Sequence, residues 1–268
     1  MIPKIIHYCW FGENILPESA KKCIESWKKY LPGYEIKEWN ENNFNIHCCK
    51  YVEQAYEEKK WAFVSDYARF WILYHEGGVY FDTDVELIQP FEFILEKGPF
   101  FGVEQGLTFM VAPGLGMAAT ANMSFYKEVL EDYQKDVFID KSGRFNLTTI
   151  VTRITKLLCQ QGLNKKYLNE MVKVGDIWIY PPEYFCPLNY YTGELTITDN
   201  TYSIHHYDGS WTTKFQQERD QLKYQYYKKL SYFFPDKMTN FISGKMAQLI
   251  LLYRKGGIYL ILNKIVKH

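Results

Sequence analysis

Residues 63–84 read FVSDYARFWILYHEGGVYFDTD and predict a helix, a glycine turn and a short buried strand in succession. The helix is predicted from four aromatic residues spaced at i, i+4, i+7 and i+11 along one face, namely Phe63, Tyr67, Phe70 and Tyr74. Gly77 permits the left-handed backbone that ends a helix, and residues 79–81 then form the strand. The strand delivers Asp82 and Asp84 to its carboxyl end, where open α/β sheets bind their ligands.

The N-terminal residues predict a β-α-β unit. Residues 2–10 form an apolar run that reads as a buried strand, and residues 34–39 alternate like a second strand. Between them, Pro17 opens a helical pattern that Pro32 and Gly33 stop. This order predicts a parallel strand pair. Further strand and helix patterns along the chain predict an α/β fold with a mixed, mainly parallel sheet.

Composition and charge exclude several classes of protein. The chain has 31 basic and 31 acidic residues among 268, so it lacks the basic excess of a nucleic-acid binder. Its six cysteines include no C-x-x-C pair, which argues against a structural zinc site. The apolar run at the N-terminus is too short for a signal peptide, and we therefore expect a reducing, cytoplasmic setting.

The last residues differ in character from the rest of the chain. We predict one catalytic domain over residues 1–235 and an apolar, basic segment over residues 236–268, which has no Asp or Glu from Lys237 onward. Its uncharged apolar stretches are shorter than the roughly 20 residues that a membrane-spanning helix needs. Two interpretations stay open: the segment lies on the inner face of the cell membrane, or it packs on its own domain.

Two carboxylates at a strand end can hold a divalent cation. Asp82 and Asp84 offer the oxygen ligands that Mg²⁺ and Mn²⁺ take, although a D-x-D sequence also occurs in solvated turns. An imidazole from His205 or His206 suits Mn²⁺, although adjacent histidines in a polar loop are often surface residues. Trp10 either belongs to the core or forms a flat wall for a nucleobase.

Asp66 and Arg69 lie three residues apart on neighbouring positions of the predicted helix. They form either a surface ion pair or a set of hydrogen-bond donors and acceptors for sugar hydroxyls. The planar guanidinium of arginine, with donors fixed in direction, suits the second role.

Three segments together resemble glycosyltransferase family 32. They are IPKIIHYCWFG at residues 2–12, SDYARFWILYHEGGVYFDTD at 65–84 and HHYDGSW at 205–211. That family includes capsular-polysaccharide sugar transferases and the yeast initiating α-1,6-mannosyltransferase, and the catalytic domain of clostridial glucosylating toxins looks like a more distant relative. The resemblance implies a GT-A type, Rossmann-like α/β domain with a nucleoside diphosphate sugar as donor and Mn²⁺ or Mg²⁺ as cofactor.

The resemblance also implies a role for each matching residue. The catalytic residues would be Asp66, Arg69, Asp82 and Asp84. The residues that bind the donor would be Trp10, Tyr80, Asp66, Arg69, Asp82, Ser210 and Trp211. The metal ligands would be Asp82, Asp84 and His206.

The expected reaction is transfer of a hexose or N-acetylhexosamine, with retention, from a UDP-sugar to a lipid-linked glycan of a capsular or other surface polysaccharide. Retention by double displacement needs a second carboxylate at about 5 Å, for which Glu104 and Asp176 are candidates. We favour same-face attack, in which the leaving phosphate takes the proton of the acceptor. A nucleotide-sugar hydrolase and a non-catalytic carbohydrate-binding protein are alternative interpretations.

Overall fold

The structure, a computed structural model, describes four ranges of the chain: residues 1–105, 109–190, 192–209 and 214–265. They belong to two compact units. The first unit is made of residues 1–188 and 196–207, and the second of residues 189–195 and 208–268. The predicted division of the chain at residues 235 and 236 stays a prediction.

The first unit is built around a mixed sheet with the strand order β2-β1-β3-β7-β5-β9-β8, and β6 pairs with β5. A separate two-stranded sheet joins β4 to β10. The strand bounds are β1 Ile5–Cys9, β2 Glu35–Trp39, β3 Gly78–Tyr80, β4 Val85–Leu87, β5 Phe100–Glu104, β6 Met110–Val111, β7 Met117–Ala119, β8 Val172–Val174, β9 Ile177–Tyr180 and β10 Ser203–His205.

Helices of the first unit are α1 Glu18–Tyr30, α2 Lys50–Glu57, α3 Trp61–Glu76, α4 Glu92–Lys97, α5 Ser124–Gln134, α6 Ile150–Gln160 and α7 Pro182–Phe185. Pro17 caps the start of α1, where its missing N–H costs no helical hydrogen bond. Thr149 caps α6, because its hydroxyl oxygen accepts a hydrogen bond from the backbone N–H of Thr152. The predicted α/β class, the parallel pair of β1 and β2, and the helix that ends at Gly77 are confirmed.

Strand direction brings several strand ends to one edge of the sheet. β1 runs parallel to β2 and β3, and β5 runs parallel to β9. β7 lies antiparallel between β3 and β5, so β3 and β5 point the same way. The carboxyl ends of β1, β3, β5 and β9 therefore share one edge, which we call the ligand edge.

Buried side chains hold the strands around β3 in place. His7 on β1 is fully buried, with its Nε2 2.9 Å from the carbonyl oxygen of Gly77 and its Nδ1 3.1 Å from the indole Nε1 of Trp39. Because the indole N–H can only donate, Nδ1 accepts and Nε2 carries the proton. Burial lowers the pKa of His7 to about 4, so the ring is neutral at physiological pH.

The second unit contains two helices, α8 Lys214–Leu230 and α9 Asp236–Ile265, which pack against each other. Within the ranges that the structure describes, no helix is both long and apolar enough to cross a membrane.

Candidate functional site

The end of β3 sets Asp82 at the middle of the ligand edge. The N–H of Phe81 donates to the carbonyl of His7 at 3.2 Å, and the N–H of Asp82 donates to the carbonyl of Gly114 at 3.3 Å. These two bonds fix the chain just past β3. The N–H of Val85 then donates to the carbonyl of Asp82 at 3.1 Å and closes a turn that contains Asp84.

Arg69 on α3 joins two carboxylates in the site. Its Nη2 lies 3.2 Å from Oδ1 of Asp66 and 3.2 Å from Oδ1 of Asp82, and its Nη1 donates to Oδ2 of Asp82 at 3.3 Å. Its Nε donates to the carbonyl of Ser65 at 3.1 Å. Only 5% of the Arg69 side chain is exposed, so these bonds hold the guanidinium in one orientation.

Tyr80 supports the same arrangement from β3. Its ring lies 4.9 Å from the Arg69 guanidinium carbon, and its hydroxyl donates to Oδ1 of Asp82 at 3.2 Å. Asp82 is thus contacted by an arginine and a tyrosine that both come from buried elements. The predicted residues Asp66, Arg69, Tyr80 and Asp82 are brought together by the structure.

Burial shifts the protonation of these carboxyl groups. It raises the pKa of Asp66 to about 6, although the neighbouring guanidinium of Arg69 acts in the opposite direction. It also raises the pKa of Asp82, again against Arg69, and the nearby carboxylate of Asp84 raises it further. The pKa of Arg69 is raised because the charges of Asp82, Tyr80 and Asp66 outweigh the effect of its burial. Raised carboxyl pKa values beside a fixed cation are typical of functional sites.

A third side chain reaches the carboxylate pair from β10. β10 pairs antiparallel with β4, and His205 lies opposite Val85, the residue after Asp84. The Nε2 of His205 is 3.2 Å from Oδ1 of Asp84. One potential ligand atom from each of Asp82, Asp84 and His205 lies within 4.8 Å of the others.

These three side chains fit a divalent cation. Two carboxylate oxygens and one imidazole nitrogen form a donor set that Mn²⁺ accepts. The Nδ1 of His205 is buried without a hydrogen-bond partner among the residues that the structure describes, which is rare for a buried polar atom unless water or another group is bound. Burial lowers the pKa of His205, but the Asp84 carboxylate outweighs that effect and raises it. Cation binding therefore competes with protonation of this ring.

The predicted metal ligand His206 lies away from this cluster, and the structure places His205 there in its stead. The Nε2 of His206 is 2.8 Å from a carboxylate oxygen of Glu86, on a more exposed part of the surface. His206 follows the last residue of β10, and its backbone N–H donates to the carbonyl of Asp84 at 2.9 Å while its ring contacts Glu86. The third position of the cluster is corrected to His205 on this geometric ground.

The remaining predicted donor-binding residues fall into two groups. Trp10 lies directly after β1, at the ligand edge, where its N–H donates to the carbonyl of Trp39 and its indole N–H donates to the carbonyl of Asn14 at 2.7 Å. Its side chain is half-buried, which leaves part of the ring accessible. Ser210 and Trp211 lie outside the described residues.

The two candidate nucleophiles lie at opposite edges of the sheet. Glu104 ends β5 at the ligand edge, and burial raises its pKa while His205 lowers it. Asp176 precedes β9, which runs parallel to β5, so Asp176 lies at the far edge. Asp176 is also exposed. The geometry excludes Asp176 as a nucleophile at this site and leaves Glu104.

Sequence reasoning missed two contributors to the site. Gly114, in a short 3₁₀ turn at Pro113–Leu115, lies so close to Asp82 that a Cβ there would overlap the Oδ2 of Asp82. The backbone of Ile150, the first residue of α6, lies near the carboxyl of Asp66 and lowers its pKa, against the effect of burial. Both contacts join residues far apart in sequence. The Thr149 cap before α6 was the one local signal that could have indicated a free N–H at Ile150.

Part of the chain is similar to known glycosyltransferases. Residues 17–101 match the family model described as "Glycosyltransferase sugar-binding region containing DXD motif". The chain is 33% identical over 108 residues to inositol phosphoceramide mannosyltransferase 1 of Schizosaccharomyces pombe, covering 37% of this chain and 33% of that protein. It is 32% identical over 110 residues to the uncharacterized glycosyltransferase L373 of Acanthamoeba polyphaga mimivirus, covering 38% and 43%. The chain thus spans less than half the length of these two relatives.

Two solved structures also show some likeness. One is the PaToxG glycosyltransferase, with a TM-score of 0.47 and 21% identity over 63% of this chain and 73% of that one. The other is a glycosyltransferase involved in the glycosylation of the major capsid of PBCV-1, with a TM-score of 0.47 and 13% identity over 82% and 98% of the two chains. Likeness at this level transfers no function. Residues 17–101, which contain Asp66, Arg69 and the D-x-D pair Asp82 and Asp84, are thus similar to the DXD-containing sugar-binding region of glycosyltransferases.

Proposed function

We propose that the chain transfers a sugar from a nucleoside diphosphate sugar to a glycan acceptor, with a divalent cation held by Asp82, Asp84 and His205. The observation that carries the proposal is the convergence of these three side chains beside the Asp66–Arg69 pair. A carbohydrate-binding protein without chemistry has no need for a cluster of cation ligands next to a buried arginine. The proposed cation is Mn²⁺ or Mg²⁺, with Mn²⁺ favoured by the imidazole.

The chain's own residues divide the work of binding the donor. Asp66 and Arg69 offer fixed acceptors and donors for the hydroxyls of the sugar, because Arg69 is held in one orientation between two carboxylates. Trp10, at the same edge, offers a ring face to the base. A bound cation would neutralise the charge that develops on the leaving diphosphate. We propose GT-A geometry for this arrangement.

We propose retention at the anomeric carbon by same-face attack, in which the leaving phosphate oxygen accepts the proton of the acceptor hydroxyl. The competing mechanism uses Glu104 as a covalent nucleophile, since this residue ends β5 at the ligand edge. Glu104→Ala separates the two mechanisms. Turnover within a few-fold of the wild type supports same-face attack, whereas a loss of several orders of magnitude that azide restores indicates a covalent role.

For the donor we propose a UDP-sugar carrying a hexose or N-acetylhexosamine. For the acceptor we propose a lipid-linked glycan of a bacterial capsular or other surface polysaccharide, made at the cytoplasmic face of the membrane. The name of the Schizosaccharomyces pombe relative pairs mannosyl transfer with an inositol phosphoceramide, which supports an acceptor attached to a lipid. The capsular role rests on the resemblance to capsular-polysaccharide sugar transferases.

A panel of nucleotide sugars tests the proposal. We expect one donor to raise the melting temperature with Mn²⁺ present and not with EDTA, because a ligand that binds the folded state stabilises it. Asp84→Asn should lose this shift, while Asp176→Asn, at the far edge of the sheet, should keep it. Turnover that occurs equally well with and without any glycan acceptor would identify a hydrolase and contradict the proposed transfer.

A further inference from the structure

Helix α9 contacts its own unit through small side chains. Thr239, Ser243 and Ala247 are fully buried, and Leu251 continues the same row at a spacing of four residues. Residues four apart lie on one face of a helix, so this row is the side that α9 turns to its own unit. The side of a surface helix that lies opposite its buried row usually carries polar side chains.

The opposite side of α9 carries large apolar side chains that are exposed to solvent. Met238, Phe241, Leu249 and Tyr253 are 44%, 65%, 45% and 61% exposed. At 100° per residue these four lie within about 120° of each other and point away from the buried row. Four bulky apolar groups that are 44% to 65% exposed on the outer side are unusual for a surface helix.

Positive charge accompanies this apolar surface. Lys245 lies within it, with its Nζ 5.8 Å from the ring of Phe241, and Lys237 and Lys255 are exposed beside it on the same helix. The sequence has no Asp or Glu after Asp236. A second copy of this face would therefore bring like charges together, which disfavours self-association.

We propose that this surface of α9, formed by Met238, Phe241, Lys245, Leu249 and Tyr253 and here called the lipid face, lies on an anionic lipid bilayer. The apolar groups enter the boundary between headgroups and acyl chains, and the cationic groups meet lipid phosphates. The helix lies in the plane of the membrane surface. The buried row of α9 packs on its own unit, as one of the two interpretations of the C-terminal segment expects, whereas this face does not.

Vesicle co-sedimentation tests the proposal on the full chain, without nucleotide sugar or divalent cation, so the outcome is independent of the proposed enzyme activity. We expect binding to vesicles of phosphatidylcholine with 30% phosphatidylglycerol, and much weaker binding to phosphatidylcholine alone. Because lysine and arginine contribute through charge, 0.5 M NaCl should weaken the binding to the anionic vesicles.

Two pairs of variants locate the binding surface. Phe241→Ser with Leu249→Ser should lower vesicle affinity about tenfold or more, whereas Phe93→Ser with Leu147→Ser, which removes equally exposed side chains from the first unit, should not. Lys237→Gln with Lys245→Gln should also lower affinity about tenfold, whereas Lys141→Gln with Lys166→Gln should not. All eight positions are exposed, and circular dichroism checks that each variant folds.

Equal loss in the control pairs, or unchanged binding in both α9 pairs, would overturn the proposal. So would binding of the wild type to neutral and anionic vesicles alike. Sedimentation velocity adds an independent outcome. If the wild type is a dimer that does not bind vesicles, and the Phe241→Ser/Leu249→Ser variant is a monomer, the face binds a second copy of the chain. That result would also overturn the proposal.

Discussion

Arg69 is the residue on which the geometry of the site depends most. Its guanidinium bonds to Asp66 on its own helix and to Asp82 beyond β3, and the Tyr80 ring lies against it. A lysine could not satisfy both carboxylates in fixed directions, because its ammonium is a single point of charge. Removing the guanidinium would leave the buried carboxylate of Asp66 without its ion-pair partner, which costs several kcal/mol by the usual scale for buried ion pairs.

Protonation of Asp66 should change donor affinity and protein stability in opposite directions. Its pKa is raised from 3.8 to about 6, so the carboxylate takes up a proton as the pH falls through 6 and loses acceptors for sugar hydroxyls. We expect the ratio of wild-type to Asp66→Asn donor affinity, measured by calorimetry with Mn²⁺, to fall towards one below pH 6. A ratio that stays constant from pH 7.5 to pH 5 would contradict this role.

The sign for stability follows from the same shift. A folded-state pKa above the unfolded value means that the folded protein binds this proton more tightly, so stability from this group is present at low pH and lost as the pH rises through 6. Relative to Asp66→Asn, the wild type should gain about 2 kcal/mol between pH 7 and pH 4. Urea unfolding of both proteins at each pH measures the difference between their free energies of unfolding. Titration of all other groups contributes equally to both proteins and drops out of this difference.

Gly114 tests the position of Asp82 without touching its charge. A Cβ at Gly114 would overlap Oδ2 of Asp82, and Gly114 does not have a positive φ, so alanine adds bulk without backbone strain. We expect Gly114→Ala to weaken Mn²⁺ and donor binding by about tenfold, while the free energy of unfolding changes by only about 1 kcal/mol. Gly244→Ala, where the nearest atoms lie at 3.9 Å, is the control and should bind normally. Normal binding by both variants would mean that Asp82 tolerates displacement.

At the scale of elements, the turn from α3 into β3 positions the whole site. Gly77 and Gly78 have φ of +66° and +101°, and a Cβ on Gly78 would lie 2.7 Å from the carbonyl oxygen of Ile5 and 2.9 Å from Nε2 of His7. Glycine at residue 78 therefore lets β3 pair closely with β1. Without this pairing, Asp82 would not reach the ligand edge beside Arg69.

Replacing glycine by alanine at this turn should lower the free energy of unfolding more than the same change at a turn with free space around it. Gly98 also has a positive φ, +113°, yet a Cβ there meets nothing within 4 Å. We expect Gly98→Ala to cost about 1 kcal/mol from backbone strain and Gly78→Ala to cost about 2 kcal/mol more, because the added methyl collides with β1. Chemical unfolding measures both. Equal costs would show that β1 and β3 can separate to accommodate the methyl group.

Local pattern predicted some elements and missed others for physical reasons. The first β-α-β unit and α3 have long periodic runs with clear stops, and the structure confirms them. Strands β4 and β7 have three residues each, and β7 reads Met-Ala-Ala, which lacks the β-branched and aromatic residues that favour strands. Such short strands are stabilised by pairing with strands that are far away in the sequence. The local sequence pattern therefore does not predict them.

At the scale of the whole molecule, the site depends on contacts between segments far apart in the chain. Asp66, Arg69, Asp82 and Asp84 lie within 19 residues of each other, so their grouping could be predicted from one stretch of sequence. His205 reaches Asp84 through the pairing of β10 with β4. Because a shift of one residue exchanges the two faces of a strand, choosing between His205 and His206 required the register of that pairing.

Binding of Mn²⁺ tests most directly the central claim that Asp82, Asp84 and His205 hold a divalent cation. The free ion gives a six-line electron paramagnetic resonance signal that is lost on binding, and titrations with and without UDP would give the affinity. We predict that His205→Gln and Asp84→Asn each weaken Mn²⁺ binding by about tenfold or more, while His206→Gln, whose ring contacts Glu86, binds like the wild type. Loss of Mn²⁺ binding in His206→Gln with normal binding in His205→Gln would contradict the account.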